Sequence, residues 1–240
     1  MDKPAKQASI TAKGVQQTNI QTKKRLFVRT LLRWHKHNRR LFPWRSERDP
    51  YKVLIAELML QRTQAKQVAR VFKNFIDAFP TLDDAVTADP QKVSFILKPL
   101  GLKHRIPRII HVLKKIAVEY HGKIPDDYHR LISIRGIGRY IASAILCFGY
   151  GKSVPVVDVN VVRVLSRFFG ITSSKRRPHT DPAFWNLSRE LIPENKGPEF
   201  NEALIDFAAV VCTKDPRCST CPLSQACHYF SLHKTSLYIS

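Results

Sequence analysis

Leu131-Ile132-Ser133-Ile134-Arg135-Gly136-Ile137-Gly138-Arg139-Tyr140 lies between two helix-forming stretches, and its reading decides the fold. Two glycines around one apolar residue permit a tight turn through conformations that a side chain forbids. The helix that opens after Gly138 turns its first N–H groups outward, where they can bind a phosphate. Ile137 is expected to anchor the turn in a core, and Arg135 and Arg139 add charge beside it. The same residues also fit an ordinary helix–helix turn, so the stretch alone leaves both readings open.

Outward from this hairpin the chain reads as helical almost throughout. Toward the N-terminus, helices are expected over 104–121, 90–97 and 82–87, and over a stretch with Val68, Val71, Phe72, Phe75 and Phe79 at helical spacing, ended by Pro80. Asp49-Pro50 gives an N-cap followed by proline at the first helical position, opening a helix from Tyr51 to Gln64. Leu41-Phe42-Pro43-Trp44-Arg45 breaks an earlier helix over 25–39, because proline cannot continue one. Pro125-Asp126-Asp127 opens a helix to Ile134, and another runs from Gly138 to Gly149. Toward the C-terminus, helices follow from Asp158 to Phe169, Pro182 to Leu191 and Phe200 to Val211. Ser153 to Val157 is β-branched but too isolated for a sheet, and no period-two alternation persists. The fold class is all-α.

The chain has 240 residues, 44% of them hydrophobic, enough for a large core. Lys and Arg total 40 against 19 acidic residues, a formal charge of +21. An excess of that size implies a polyanionic partner, of which nucleic acid is the commonest. No apolar run approaches the roughly 18 residues needed to span a bilayer, and the N-terminus lacks the apolar middle of a signal peptide. A soluble intracellular protein, cytoplasmic or nucleoid-associated, with no membrane partner is expected.

Two acids stand out. Val53, Leu54, Glu57, Leu58 and Gln61 share one helix face, so Glu57 interrupts an apolar stripe. A carboxyl there is costly unless paired, and burial raises its pKa, the state wanted of a proton donor. A structural glutamate paired with an arginine fits the same pattern. Asp158 follows Val154-Pro155-Val156-Val157 and opens a helix. It reads as an N-cap. It also reads as a carboxylate kept ionised by the helix terminus, able to stabilise a cationic sugar or to activate water.

Cys212, Cys218, Cys221 and Cys227 have the spacing C-x5-C-x2-C-x5-C. In a reducing compartment such a cluster reads as metal ligation rather than disulfides. Four thiolates so close can wrap one tetrahedral zinc or an iron–sulfur cubane, and the spacing leaves both open. Lys214, Arg217 and His228 add positive charge nearby. Cys147, in an apolar helix, reads as core.

The order of these pieces resembles the helix-hairpin-helix (HhH-GPD) DNA glycosylases of the endonuclease III/MutY superfamily: glutamate helix, Gly-x-Gly hairpin, aspartate about twenty residues on, terminal cysteine cluster. The resemblance runs from about Arg25 to Tyr229. Phe42-Pro43-Trp44, Asp49-Pro50-Tyr51, Glu57-Leu58-Met59-Leu60-Gln61-Arg62-Thr63 and Val157-Asp158-Val159-Asn160 look like members that remove mispaired bases, the adenine glycosylases and the thymine–guanine mismatch glycosylases. The resemblance implies a six-helix lobe with the hairpin, a cluster-bearing lobe, and a DNA cleft between them. The expected division is a disordered basic arm over 1–24, the six-helix lobe over 48–153, the cluster lobe over 25–47 and 154–230, and a tail over 231–240. It makes the cysteine group a [4Fe–4S] cluster, with zinc as the alternative.

It also implies roles. Gly136, Ile137 and Gly138 with Arg135, Arg139 and Arg62 contact DNA, while Gln61 and Leu102 fill the hole left by an extruded nucleotide. Glu57 assists departure of the base, Asp158 stabilises the sugar cation, and Tyr140 lines the pocket. Bifunctional members carry a lysine nucleophile where Tyr140 stands, so a monofunctional enzyme is implied. Leu102 after Gly101 is similar to the thymine–guanine enzymes, whereas Gln61, Thr63 and Gln64 are similar to the adenine branch. A monomer acting on double-stranded DNA with a thymine or uracil opposite guanine is the expectation. Its alternatives are an adenine glycosylase, a bifunctional lyase, and a non-catalytic DNA-binding protein. One departure is the first cysteine interval, five residues here and six in the family.

Overall fold

A computed structural model describes residues 5–46, 48–101 and 106–237. The chain is all-α, with no strand among the described residues. Among them no helix is long and apolar enough to cross a membrane.

The chain divides into two compact units, one from Arg40 to Val156 and the other made of the residues up to Arg39 together with Val157 onward. The first break, expected at residue 48, lies at Arg40. Packing is the reason. Trp44 is buried in the central unit, edge-on to Phe72 at 5.5 Å, and Phe42 stacks on Trp44 at 4.8 Å.

The central unit holds α2 (Pro50–Leu60), α3 (Ala65–Ala78), α4 (Leu82–Thr87), α5 (Pro90–Leu97), α6 (Ile106–Tyr120), α7 (Tyr128–Ser133) and α8 (Arg139–Ala144). Short polar residues start α2, α4, α5 and α7. Asp49 accepts from the N–H of Tyr51 at 2.8 Å and of Lys52 at 3.3 Å, with Pro50 in the first turn. Thr81 and Asp84 form a reciprocal capping box, and Asp89 and Asp127 cap α5 and α7. Each such cap stabilises its helix by about 1 kcal/mol. Apolar faces at helical spacing then close one core, with Leu54 of α2, Val68, Phe72 and Phe75 of α3, and Ile109, Val112 and Ile116 of α6. Full burial of a side chain of this size contributes about 1.5–3 kcal/mol.

Boundaries shift where the backbone turns. α2 stops at Leu60 rather than Gln64, because Arg62 takes the left-handed conformation, φ 58°. The helix after Asp127 starts at Tyr128, not Pro125. α8 does not run straight to Gly149 but passes into a π-helical turn, Ile145–Gly149, closed by Tyr150 N–H on the Ile145 carbonyl at 3.1 Å. Gly149 lets that turn sit on the start of α2, since a Cβ there would lie 2.8 Å from Pro50 Cα.

The other unit holds α1 (Ala5–Asn38), α9 (Val159–Phe169), α10 (Pro182–Leu191), α11 (Gly197–Val210) and α12 (His228–Leu237). Phe27 and Leu31 of α1 are fully buried against a core that includes Phe168, Phe200 and Phe207. Trp34 meets Phe207 edge-on at 5.2 Å, and buried His35 bonds buried Asp206 at 3.2 Å. These contacts explain why the N-terminal helix belongs with the C-terminal part of the chain. Residues 5–24, expected as a disordered arm, continue α1. Elongating a helix already nucleated by packing costs little, and Ala, Lys and Gln favour it. Residues 1–4 lie outside the described residues. The expected tail carries α12 through Leu237, and α11 starts at Gly197 rather than Phe200.

Candidate functional site

The hairpin connects α7 to α8 in four residues, Arg135 to Gly138, after Ile134 closes α7. Ile137 N–H donates to the Ile134 carbonyl at 2.9 Å, which makes the turn tight. Ile137 is buried, as the anchoring role requires. The two glycines are not equivalent. Gly136 has φ +117°, and a Cβ on it would lie 2.6 Å from Val112 Cγ2, so only glycine fits. Gly138 is extended, with φ −94° and ψ 176°, and a Cβ there would meet nothing within 4 Å. The conformational argument therefore holds for Gly136 alone. At Gly138 the missing side chain leaves open space in front of the backbone. Arg135 is exposed and Arg139 half-buried beside it.

Glu57 lies on α2, only 7% exposed, among buried Val53, Leu54 and Leu58. The apolar stripe is real, and the carboxyl sits within it. Gln61 caps the end of α2 half-buried, and Arg62 is exposed. The Thr63 hydroxyl is buried with no hydrogen-bond partner among the described residues. Tyr140 is the second residue of α8, half-buried against the central core. Leu102 lies outside the described residues.

Asp158 caps α9, as its place in the sequence suggested, and the geometry adds a second layer. Oδ1 accepts from Asn160 N–H at 2.9 Å and Val161 N–H at 2.7 Å, while Oδ2 accepts from the Asn160 side-chain amide at 2.6 Å. Asn160 is itself held, because Arg163 Nη1 donates to Asn160 Oδ1 at 2.9 Å. Arg163 reaches on through Nε to the Cys212 carbonyl and through Nη2 to the Ala208 carbonyl, both at 2.9 Å. Asp158 remains half-exposed, so a carboxylate oriented by three donors still presents itself to solvent. Asn160 and Arg163 were missed as supporting residues. The signal available was their spacing from Asp158, two and five positions along one helix start.

The four cysteines come together after α11. Cys212, Cys218, Cys221 and Cys227 line one cavity, walled by Val164, Phe168, Phe207 and Phe230. Burial, with Cys227, Cys212 and Cys218 close by, pushes the Cys221 thiol up to about 12; burial also raises Cys218 and Cys227. Cations answer that crowding. Arg167 Nη1 lies 3.6 Å from Cys212 Sγ, and the same guanidinium holds the loop by donating to the Thr213 carbonyl at 2.6 Å and the Lys214 carbonyl at 3.0 Å. Lys23 of α1 lies 5.1 Å from the Phe168 ring centre; burial lowers its pKa and nearby Cys227 opposes that shift. Among the described residues no group of three or more His, Cys, Asp or Glu side chains is arranged to hold a metal ion. The thiols surround a cavity rather than meet at a point, a lining able to hold a soft metal–sulfur group.

The family model described as "HhH-GPD superfamily base excision DNA repair protein" matches residues 55–190, which include Glu57, the hairpin, Tyr140 and Asp158 and stop short of the cysteines. A thymine/uracil-DNA glycosylase of Pyrobaculum aerophilum is 38% identical over 203 residues, covering 82% of this chain and 88% of the relative. An adenine DNA glycosylase of Buchnera aphidicola subsp. Baizongia pistaciae is 32% identical over 211 residues, covering 87% of this chain but 60% of the relative. The solved structure of a thermostable thymine-DNA glycosylase superposes with a TM-score of 0.83 at 32% identity, covering 89% of this chain and 99% of that one.

Proposed function

The chain belongs to the HhH-GPD superfamily of base excision DNA repair proteins, and on that premise we propose that it is a monofunctional DNA glycosylase acting on thymine or uracil opposite guanine. One observation carries the chemistry: a half-exposed aspartate whose two oxygens are fixed by two backbone N–H groups and one amide. Breaking an N-glycosidic bond builds positive charge on the sugar, and a carboxylate oriented in advance stabilises it without reorganising. Asp158 takes this role and helps deliver water. Glu57, a carboxyl in an apolar face, assists the departing base by hydrogen bonding or protonation. Tyr140 cannot form a Schiff base, so water is the final nucleophile and an abasic site the product.

Binding follows from charge. A net +21 favours double-stranded DNA with steep salt dependence. The hairpin presents Gly138 with open space before its backbone, flanked by Arg135 and Arg139. Gln61 and Leu102 fill the space of the extruded nucleotide, Arg62 contacts the DNA, and a mispaired base costs less to extrude than a paired one. The thymine and uracil reading is supported by the thermostable thymine-DNA glycosylase structure, which superposes with a TM-score of 0.83 at 32% identity.

Cys212, Cys218, Cys221 and Cys227 would hold a [4Fe–4S] cluster, the group that the resemblance implies, since all four thiols line one cavity. When bound, that group supplies a cross-link between the end of α11 and the start of α12. Arg167 and Lys23 supply counter-charge from the protein side.

The test is excision from duplexes carrying thymine–guanine, uracil–guanine, adenine–guanine and adenine–8-oxoguanine pairs, scored for strand breaks with and without alkali. Alkali-dependent breaks in the first two support the reading. Breaks confined to the adenine duplexes replace it with the adenine reading.

A further inference from the structure

Arg108 stands on α6, third from its start and one helical turn before Val112. Its Nη2 donates to the Gly136 carbonyl at 2.7 Å. The two side chains form the floor on which Gly136 lies: a Cβ on that glycine would meet Val112 Cγ2 at 2.6 Å, Arg108 Nε at 3.4 Å and Arg108 Cγ at 3.5 Å. The peptide between Gly136 and Ile137 is thus held at both ends. Arg108 takes its oxygen, and the Ile134 carbonyl takes its N–H at 2.9 Å. That fixes the plane from which the backbone turns toward Gly138.

The guanidinium is not consumed by this bond. Arg108 is exposed and pairs with no carboxylate among the described residues. One of its five donors is committed to Gly136. By contrast, Arg163 and Arg167 of the other unit have their guanidinium donors spread over several carbonyl groups. An arginine that braces a turn with one edge and leaves the rest outward is arranged to meet an anion approaching the same turn.

We propose that Arg108 is a positioning residue of the hairpin, setting the Gly136–Ile137 peptide and adding its charge to the DNA phosphate that the hairpin takes. The proposal rests on the reading of the hairpin as a DNA contact. Neutralising one phosphate fewer lowers the salt slope of binding by about one. Arg108→Ala should therefore raise the Kd for a duplex with a tetrahydrofuran abasic-site analogue roughly tenfold and cut the slope of log Kd against log salt by about one. Arg108→Lys keeps the charge, so it should keep the slope while recovering only part of the affinity. Thermal midpoints of both variants verify that the fold is intact, as an exposed side chain leads one to expect. Wild-type binding without salt dependence would remove the DNA reading and this inference with it. Salt-dependent wild-type binding matched by Arg108→Ala in both Kd and slope would overturn this inference alone.

Discussion

Arg163 joins Asn160, the residue that holds Asp158, to the cysteine loop: its guanidinium donates to Asn160 Oδ1 and to the Cys212 carbonyl, each at 2.9 Å. The carboxylate and the thiol-lined cavity share one line of hydrogen bonds, Asp158 to Asn160 to Arg163 to Cys212. Arg163→Met keeps much of the volume and removes every donor. It leaves part-buried carbonyls unanswered, at a cost of about 1–3 kcal/mol. Single-turnover excision should fall by tenfold or more, since about 1.4 kcal/mol of barrier is a factor of ten. Cysteine-bound iron per chain should fall as well, because the Cys212 carbonyl loses its anchor. Unchanged rate and iron content would show that the line carries no coupling.

Tyr140→Lys should add strand cleavage. A lysine at the second position of α8 brings an amine to the place where tyrosine can only hydrogen bond. Borohydride should then trap a covalent enzyme–DNA adduct that the wild type does not give. No adduct would mean that position 140 does not face the sugar.

The two hairpin glycines should separate stability from binding. Gly136→Ala places a Cβ 2.6 Å from Val112 in a left-handed backbone, a strain of about 1–3 kcal/mol. Its thermal midpoint should drop by several degrees, at roughly 2–4 °C per kcal/mol for a chain of this size. Gly138→Ala meets nothing within 4 Å and should melt like the wild type, yet bind DNA more weakly if a phosphate approaches there.

Metal-free protein should lose stability as the solution becomes alkaline. Cys221 in the folded state holds its proton up to about 12, against an ordinary thiol value of 9.0. Below both values the thiol is protonated in either state and contributes nothing to the balance. Above about pH 9 the unfolded thiol ionises while the folded one does not, so the unfolded state gains until the folded group also ionises near 12. Loaded protein, with thiolates already formed, should not show this loss. Thermal midpoints at about pH 8 and pH 10.5, with and without iron, measure the difference.

Much of this was legible along the chain because it is local. Glu57 interrupts an apolar face at fixed helical spacing, Asp49 and Asp158 precede helices within one turn, and the cysteines crowd into one short stretch. What escaped is what closes over distance. Arg163 and Cys212 are 49 positions apart, and Arg108 and Gly136 are 28 apart, so neither bond leaves a spacing rule. The left-handed Arg62 and the π turn at Ile145–Gly149 escaped because their residues carry no turn signature; the close approach to Pro50, not propensity, selects Gly149. The contacts by which α1 packs, Trp34 with Phe207 and His35 with Asp206, also close over distance, and only the resemblance, not helical periodicity, places this stretch with the C-terminal part.

Asp158→Asn tests the central claim most directly. Asparagine caps a helix about as well as aspartate, so the start of α9 survives while the charge is lost. Excision from a thymine–guanine duplex, measured in a single turnover beside DNA affinity, should fall to the limit of detection with affinity retained. Excision at the wild-type rate would contradict the assignment of Asp158 as the carboxylate that breaks the glycosidic bond.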